Sequence, residues 1–147
     1  MNVAEILSQR NRKWQSSRPA PESEVADLRS RSRAELPPEY LDLLRFSNGG
    51  EGPLALAPLW FQLYSVQDCL ELCHNSEIIE RFPTFVFFGS NGGIESMAFD
   101  LRTGPPWSVV MVDQIAGPQS AEELVPDMAT FIAAIGLDAS EAMKLEP

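Results

Sequence analysis

Two runs of this sequence are apolar at every position, Phe85–Phe88 and Val109–Val112, and a third apolar-rich segment, Ile94–Phe99, lies between them. A strand exposed on one face alternates apolar with polar residues, so unbroken runs point to strands covered on both faces. The five residues Gly89-Ser-Asn-Gly-Gly93 separate Phe85–Phe88 from Ile94–Phe99, with hairpin length and several positions able to take positive φ. A second turn, Arg102-Thr-Gly-Pro-Pro106, leads toward Val109. The pattern predicts a three-stranded antiparallel meander over residues 85–113.

Elsewhere the spacing is helical. Ser23 can cap a helix from Glu24 that carries Val25 and Leu28 on one face and Arg29, Arg31 and Arg33 toward its end. Pro37 and Pro38 stop it and open the next, whose Tyr40, Leu41, Leu43 and Leu44 form a stripe before Asn48-Gly49-Gly50. Ser65 and Asp68 resemble a capping box ahead of Val66, Cys69, Leu70 and Cys73, with an end expected near Asn75. Residues 129–135, with Phe131, Ile132 and Ile135, read as a closing helix ended by Gly136. Leu54–Leu56 and Trp60–Tyr64 are short strand candidates either side of Pro58. A short helix within residues 2–12 is followed by Ser16–Pro21, which breaks periodicity, so residues 1–22 read as an N-terminal arm and linker optional to the fold and residues 23–147 as a single domain. The expected class is α+β, an antiparallel or mixed sheet with a central three-stranded meander, flanked by helices.

Composition sharpens this in one respect. At 147 residues and 44% hydrophobic the chain suits one domain with a full core. No apolar run reaches the ~18 residues of a membrane span, and the N-terminus lacks a signal peptide's apolar region, so a cytoplasmic protein without membrane association is expected. Charge is uneven: residues 1–36 carry net +2 and residues 37–147 net −12, within a total of −10. Such a surface repels phosphate backbones, which disfavours nucleic acid and favours a cationic protein partner; it also serves solubility alone.

The candidates for chemistry are weak. Cys69, Cys73 and His74 make a superficial metal cluster, but structural zinc needs four ligands, and residues 73 and 74 point about 100° apart on a helix. No metal or cofactor is expected, and the thiols should stay reduced, since their spacing on one helix does not favour a mutual disulfide. Gly89–Gly93 lacks the lysine and following helix of a phosphate loop and reads as a hairpin turn. Glu95, Asp100 and Asp113 are carboxylates in or beside strands for which a structural role is favoured over acid–base catalysis. Trp60, Trp107 and Phe61 are core candidates, a rim tryptophan also being a suitable interface anchor.

The order Leu36-Pro-Pro-Glu-Tyr40, Asn48-Gly49-Gly50, Trp60, Gly89-Ser-Asn-Gly-Gly93 with Glu95 and Phe99-Asp100, then Val109–Asp113 resembles the SUKH superfamily over roughly residues 23–136. That family includes Smi/Knr-type cell-wall assembly regulators and many bacterial immunity proteins. The resemblance implies an α+β domain without enzymatic activity, which in bacterial members binds and neutralises a toxin domain, often a nuclease. The expected partner is therefore a basic protein toxin domain met by an acidic surface, with no prediction of oligomeric state. Candidate binding residues are Trp60, Gly89, Ser90, Asn91, Gly92, Gly93, Glu95, Asp100, Glu122 and Glu123, while Glu51, Glu71, Glu77, Glu80 and Asp127 could add to the steering field. A regulatory or scaffold domain for an endogenous protein, or a small-ligand binder with a pocket beside the sheet, are the alternatives.

Overall fold

The structure is a computed structural model and describes residues 2–138. Among these, seven strands form one sheet: β1 (Gln15–Ser16), β2 (Gly50–Pro53), β3 (Trp60–Leu63), β4 (Phe85–Ser90), β5 (Glu95–Asp100), β6 (Ser108–Asp113) and β7 (Glu122–Val125). They lie side by side in chain order and are antiparallel at every step. The helices are α1 (Val3–Leu7), α2 (Glu22–Arg31), α3 (Pro38–Phe46), α4 (Val66–Cys73), α5 (Ser76–Arg81) and α6 (Met128–Ala134). The class is α+β, and the expected meander is β4–β5–β6.

Its unbroken apolar runs have the anticipated cause. Phe88, Met97, Phe99 and Val109 face a large core shared with α3 and α6, whereas Phe85, Phe87, Ala98, Val110 and Val112 face a second cluster built on Phe82. Both faces of the meander are thus covered. The β4–β5 ladder runs Phe87↔Ala98 and then Gly89↔Met97, leaving Phe88 as the extra residue of a bulge. A bulge re-aims a side chain, and Phe88 is aimed among Tyr40, Phe61, Phe99 and Phe131, with ring centroids 4.4–5.9 Å away.

The arm is built into this core rather than being optional to it. Val3 and Leu7 are buried, and Trp14 stacks on Phe61 at 5.8 Å. Ser47, fully buried at the end of α3, accepts hydrogen bonds from Trp14 Nε1 and Ser17 N through its Oγ and so ties the arm to that helix. β1 then pairs with β2.

Other boundaries differ from expectation for local reasons. Pro21, not Ser23, precedes α2, and Ser23 makes no capping bond because it already lies inside the helix. Leu54–Leu56 is not a strand; β2 takes Gly50–Pro53, and Leu54 only bridges Ile135. Asn75 is the N-cap of α5, its side chain accepting from Ile78 N at 3.0 Å, while α4 stops at Cys73. Gly89 and Ser90 belong to β4, which confines the hairpin loop to residues 91–94.

Glycine roles follow from this shift. Only Gly92 of the hairpin segment has positive φ, at 83°. Gly89 is required for another reason: a Cβ there would lie 2.4 Å from Phe61 Cε1 and 2.7 Å from the Gln62 carbonyl oxygen. Gly89→Ala is therefore expected to cost about 2–3 kcal/mol through overpacking, Gly92→Ala about 1 kcal/mol through its left-handed backbone, and Gly93→Ala the least. Urea unfolding of the three variants checks the order; equal losses would refute the close-approach role of Gly89.

Candidate functional site

An antiparallel meander gathers its odd-numbered and even-numbered turns at opposite ends. The connections β2–β3 (residues 54–59), β4–β5 (91–94) and β6–β7 (114–121) share one end of this sheet, here the near end, and β5–β6 (101–107) lies at the other. Four of the five exposed large apolar side chains among the described residues belong to the near end: Leu59, Trp60, Ile94 and Ile115, with 56%, 37%, 57% and 80% of their surfaces open. The fifth, Ile79, is on α5. Scattered exposed apolar residues are ordinary; four in the loops and strand start of one end are a contact-surface signature. Register orders them, because Glu95↔Asp113 sets Ile94 beside the turn that carries Ile115. From β3 to β6 the row crosses three interstrand steps, about 14 Å.

The hairpin tip is held rigidly between these residues. Ser90 Oγ accepts from Gly92 N at 3.1 Å, and Asn91 Oδ1 accepts from Gly93 N at 2.8 Å and Glu95 N at 3.3 Å. The Asn91 amide donates to the Glu95 carbonyl at 2.9 Å. The amides that would cradle an anion are turned inward, so Gly89–Gly93 works as a shaped tip. Trp60 flanks it: a Cβ on Gly92 would stand 4.0 Å from the indole Cδ1.

Carboxylates border the row. Glu95 and Asp113 are directly opposite across β5 and β6 and so share a sheet face. Asp113 Oδ1 accepts from Ile115 N at 2.8 Å and Ala116 N at 3.1 Å, fixing the β6–β7 turn. The half-buried Glu95 carboxylate has no hydrogen-bond or ion-pair partner among the described residues. Glu122 and Glu123 open β7, exposed on the sheet's edge opposite Met111 and Val110. Arg81 flanks this group, its Nη2 donating to the Gln114 carbonyl at 2.8 Å.

Residues 19–134 match the model of the SMI1/KNR4 family, SUKH-1. The chain belongs to this family. Comparison with curated proteins finds no match. The matched span holds the whole near end, and SUKH membership is compatible with an immunity-protein-like role.

The remaining candidates do not join the near end of the SUKH domain. Asp100 ends β5, five residues from Glu95 and so roughly 16 Å away. It is buried and clamped by Arg102, with Oδ1 accepting from Arg102 N and Nε at 3.0 Å and Oδ2 from Nη2 at 2.9 Å. Asp127 caps α6 through Thr130 N, and Glu51 accepts from Gln62, so these carboxylates serve local structure. Cys69 is buried with its Sγ 3.3 Å from the Tyr40 hydroxyl, and burial lifts its thiol to about 12, which keeps it protonated. His74 turns its Nε2 to Arg31 instead. Among the described residues no three His, Cys, Asp or Glu side chains form a metal set. Trp107 is partly buried, its Nε1 donating to the Glu35 carbonyl at 2.8 Å.

The sequence reading missed Leu59, Ile94 and Ile115. The available signal was an isoleucine in a turn segment, after Gly92-Gly93 and before Ala116-Gly117, where a polar residue is the default.

The Asp100–Arg102 clamp has a measurable pH signature. Hydrogen bonds from Arg102 hold the Asp100 carboxyl below its ordinary 3.8. The folded state therefore prefers the ionised form, and this contribution is full above the ordinary value and lost as pH falls through the lowered one. Asp100→Asn should cost about 1–2 kcal/mol at pH 7, with the gap to the parent closing as pH falls below the ordinary 3.8. Urea melts at stepped pH check this, and a gap that stays constant into acid would contradict it.

Proposed function

We propose that this SUKH domain is a non-enzymatic binding module that docks its near end on a basic toxin domain and neutralises it, as an immunity protein does. The observation that carries the reading is the coincidence of four exposed apolar side chains with the Glu95, Asp113, Glu122 and Glu123 carboxylates on one rigid end of the sheet. The two groups have different tasks. A chain of net charge −10 attracts a cationic surface over a Debye length, about 8 Å in physiological salt, and so accelerates encounter. Desolvated apolar anchors, Trp60 foremost, then slow release. The absence of activity in this proposal is consistent with a protonated Cys69 and an Asp100 committed to Arg102.

Co-expression with the toxin domain encoded beside the gene tests it. Growth should be rescued, and purified complex should associate about tenfold more slowly when salt rises from about 50 to 500 mM, with dissociation little changed. Glu122→Lys with Glu123→Lys should reproduce the slow association. Trp60→Ala should instead raise Kd at least about tenfold through faster dissociation. If no neighbouring toxin is neutralised and pull-downs recover an endogenous regulator, a scaffold role replaces this one.

A further inference from the structure

The sheet has a gap. β3 pairs with β4 only at Gly89 and Ser90 before the chain turns into α4, so Phe85, Val86 and Phe87 have no strand on that side. α2, α4 and α5 close over the opening incompletely: α5 has no buried residue, and Ile79 is 40% exposed. What remains is a cavity of about 210 Å³ against the open edge of β4. Its interior is apolar, walled by Leu28, Leu36, Leu72, Ile78, Phe85 and Phe87. Of the polar atoms lining it, the buried Tyr40 Oη and Cys69 Sγ satisfy each other at 3.3 Å, and Ser32 Oγ accepts from Ala34 N at 3.4 Å.

The rim has the opposite sign to the rest of the molecule. In a chain of net charge −10, no aspartate or glutamate lines this cavity, whereas Arg31 and Arg33 both do. Arg31 is engaged, its Nε donating to Asp27 at 2.7 Å and its Nη1 meeting His74 at 3.4 Å. Arg33 is different. Its Nη2 donates to the carbonyls of Phe82 and Phe85, sealing the bare β4 edge, and no carboxylate neutralises it among the described residues. Its Nε and Nη1 have no hydrogen-bond partner among those residues.

We infer that this cavity binds a medium-chain carboxylate, with the alkyl tail between α2, α4 and α5 and one carboxylate oxygen accepting from an unpartnered N–H, Nε or Nη1, of the Arg33 guanidinium. Size sets the tail: cavities of about 150 Å³ take benzene, so this one suits a chain on the order of eight carbons. A guanidinium N–H without a partner pairs with a carboxylate through a charge-assisted hydrogen bond, and a wall that is apolar apart from the Ser32 hydroxyl selects against polar bodies. The site is independent of the near end, and its failure leaves the toxin reading untouched.

Calorimetry with octanoate, octanol and octylamine tests the assignment on the full chain. Octanoate should bind with Kd on the order of 100 μM, about tenfold tighter than octanol, and octylamine should not bind measurably. Arg33→Gln should erase the preference for octanoate over octanol. Cys73 lines the cavity and is half-buried, so bound octanoate should slow its alkylation by a maleimide at least about threefold at saturation. Should Arg33→Gln fail to fold, Ile78→Trp, which fills the cavity, should abolish octanoate binding. Octanoate and octylamine binding alike, no heat from octanoate at millimolar concentration, or binding that leaves Cys73 labelling unchanged would each overturn the proposal. Protection of Cys73 by the toxin domain but not by octanoate would reassign the cavity to a protein contact.

Discussion

The bulge at Phe88 is the constraint on which the rest of the arrangement depends. Without the extra residue between Phe87 and Gly89, strict alternation would continue past Phe87 and turn every later side chain of β4 to the opposite face. With it, the Phe88 ring stacks on Phe99 at 4.4 Å and meets Tyr40 from α3, Phe61 from β3 and Phe131 from α6. Four elements are located by one ring. The next residue has to be glycine because the Phe61 ring passes where its Cβ would be. Phe61 in turn holds Trp14, so the same cluster anchors the N-terminal arm.

Rigidity at the near end is a consequence. Trp60 adjoins Phe61 at the start of β3, which fixes its backbone although its indole is partly open to solvent. The hairpin tip and the β6–β7 turn are each braced by two side chains, Ser90 and Asn91 in the first and Asp113 and Ser120 in the second. A binding surface presented on braced turns loses little conformational entropy on association, which is where interfaces of equal area differ in affinity. The far end is organised otherwise, by the Asp100–Arg102 clamp and by Arg33 over the open edge of β4.

The parts of this fold legible in the sequence are those where one local signal agreed with its surroundings. Phe85–Phe88 and Val109–Val112 announced buried strands, and Pro37-Pro38 with Asn48-Gly49-Gly50 bracketed α3. The strands missed are those held by the sheet and not by their own residues. Gly50-Glu-Gly-Pro53 has almost no strand propensity and is extended because β3 pairs with it, while β1 is two residues long. Glu122 and Glu123 disguised β7, since charges on an edge strand serve to block further pairing. Gly89 reads as loop because a glycine required by a neighbouring ring looks identical in sequence to one required by a turn. For the site, Trp60 and Glu95 were legible as candidates; that Ile94 and Ile115 stand beside them depends on the β5–β6 register, which periodicity does not encode.

That register also places two carboxylates where stability alone would not. Like charges directly opposite in a sheet are unfavourable, on the order of 0.2–1 kcal/mol for such pairs. Asp113 has an offsetting role, because its Oδ1 holds two turn amides. Glu95 has no such role among the described residues: its backbone closes the hairpin, and no hydrogen bond or ion pair holds its carboxylate, on the same sheet face as Asp113. A glutamine would keep the backbone bonds and remove the repulsion. In the proposed complex, a lysine or arginine of the basic partner seated between Glu95 and Asp113 would turn that repulsion into two attractions. The unfavourable pair in the free protein then becomes a term gained only on binding, and it lies beside the apolar row that would exclude water from it.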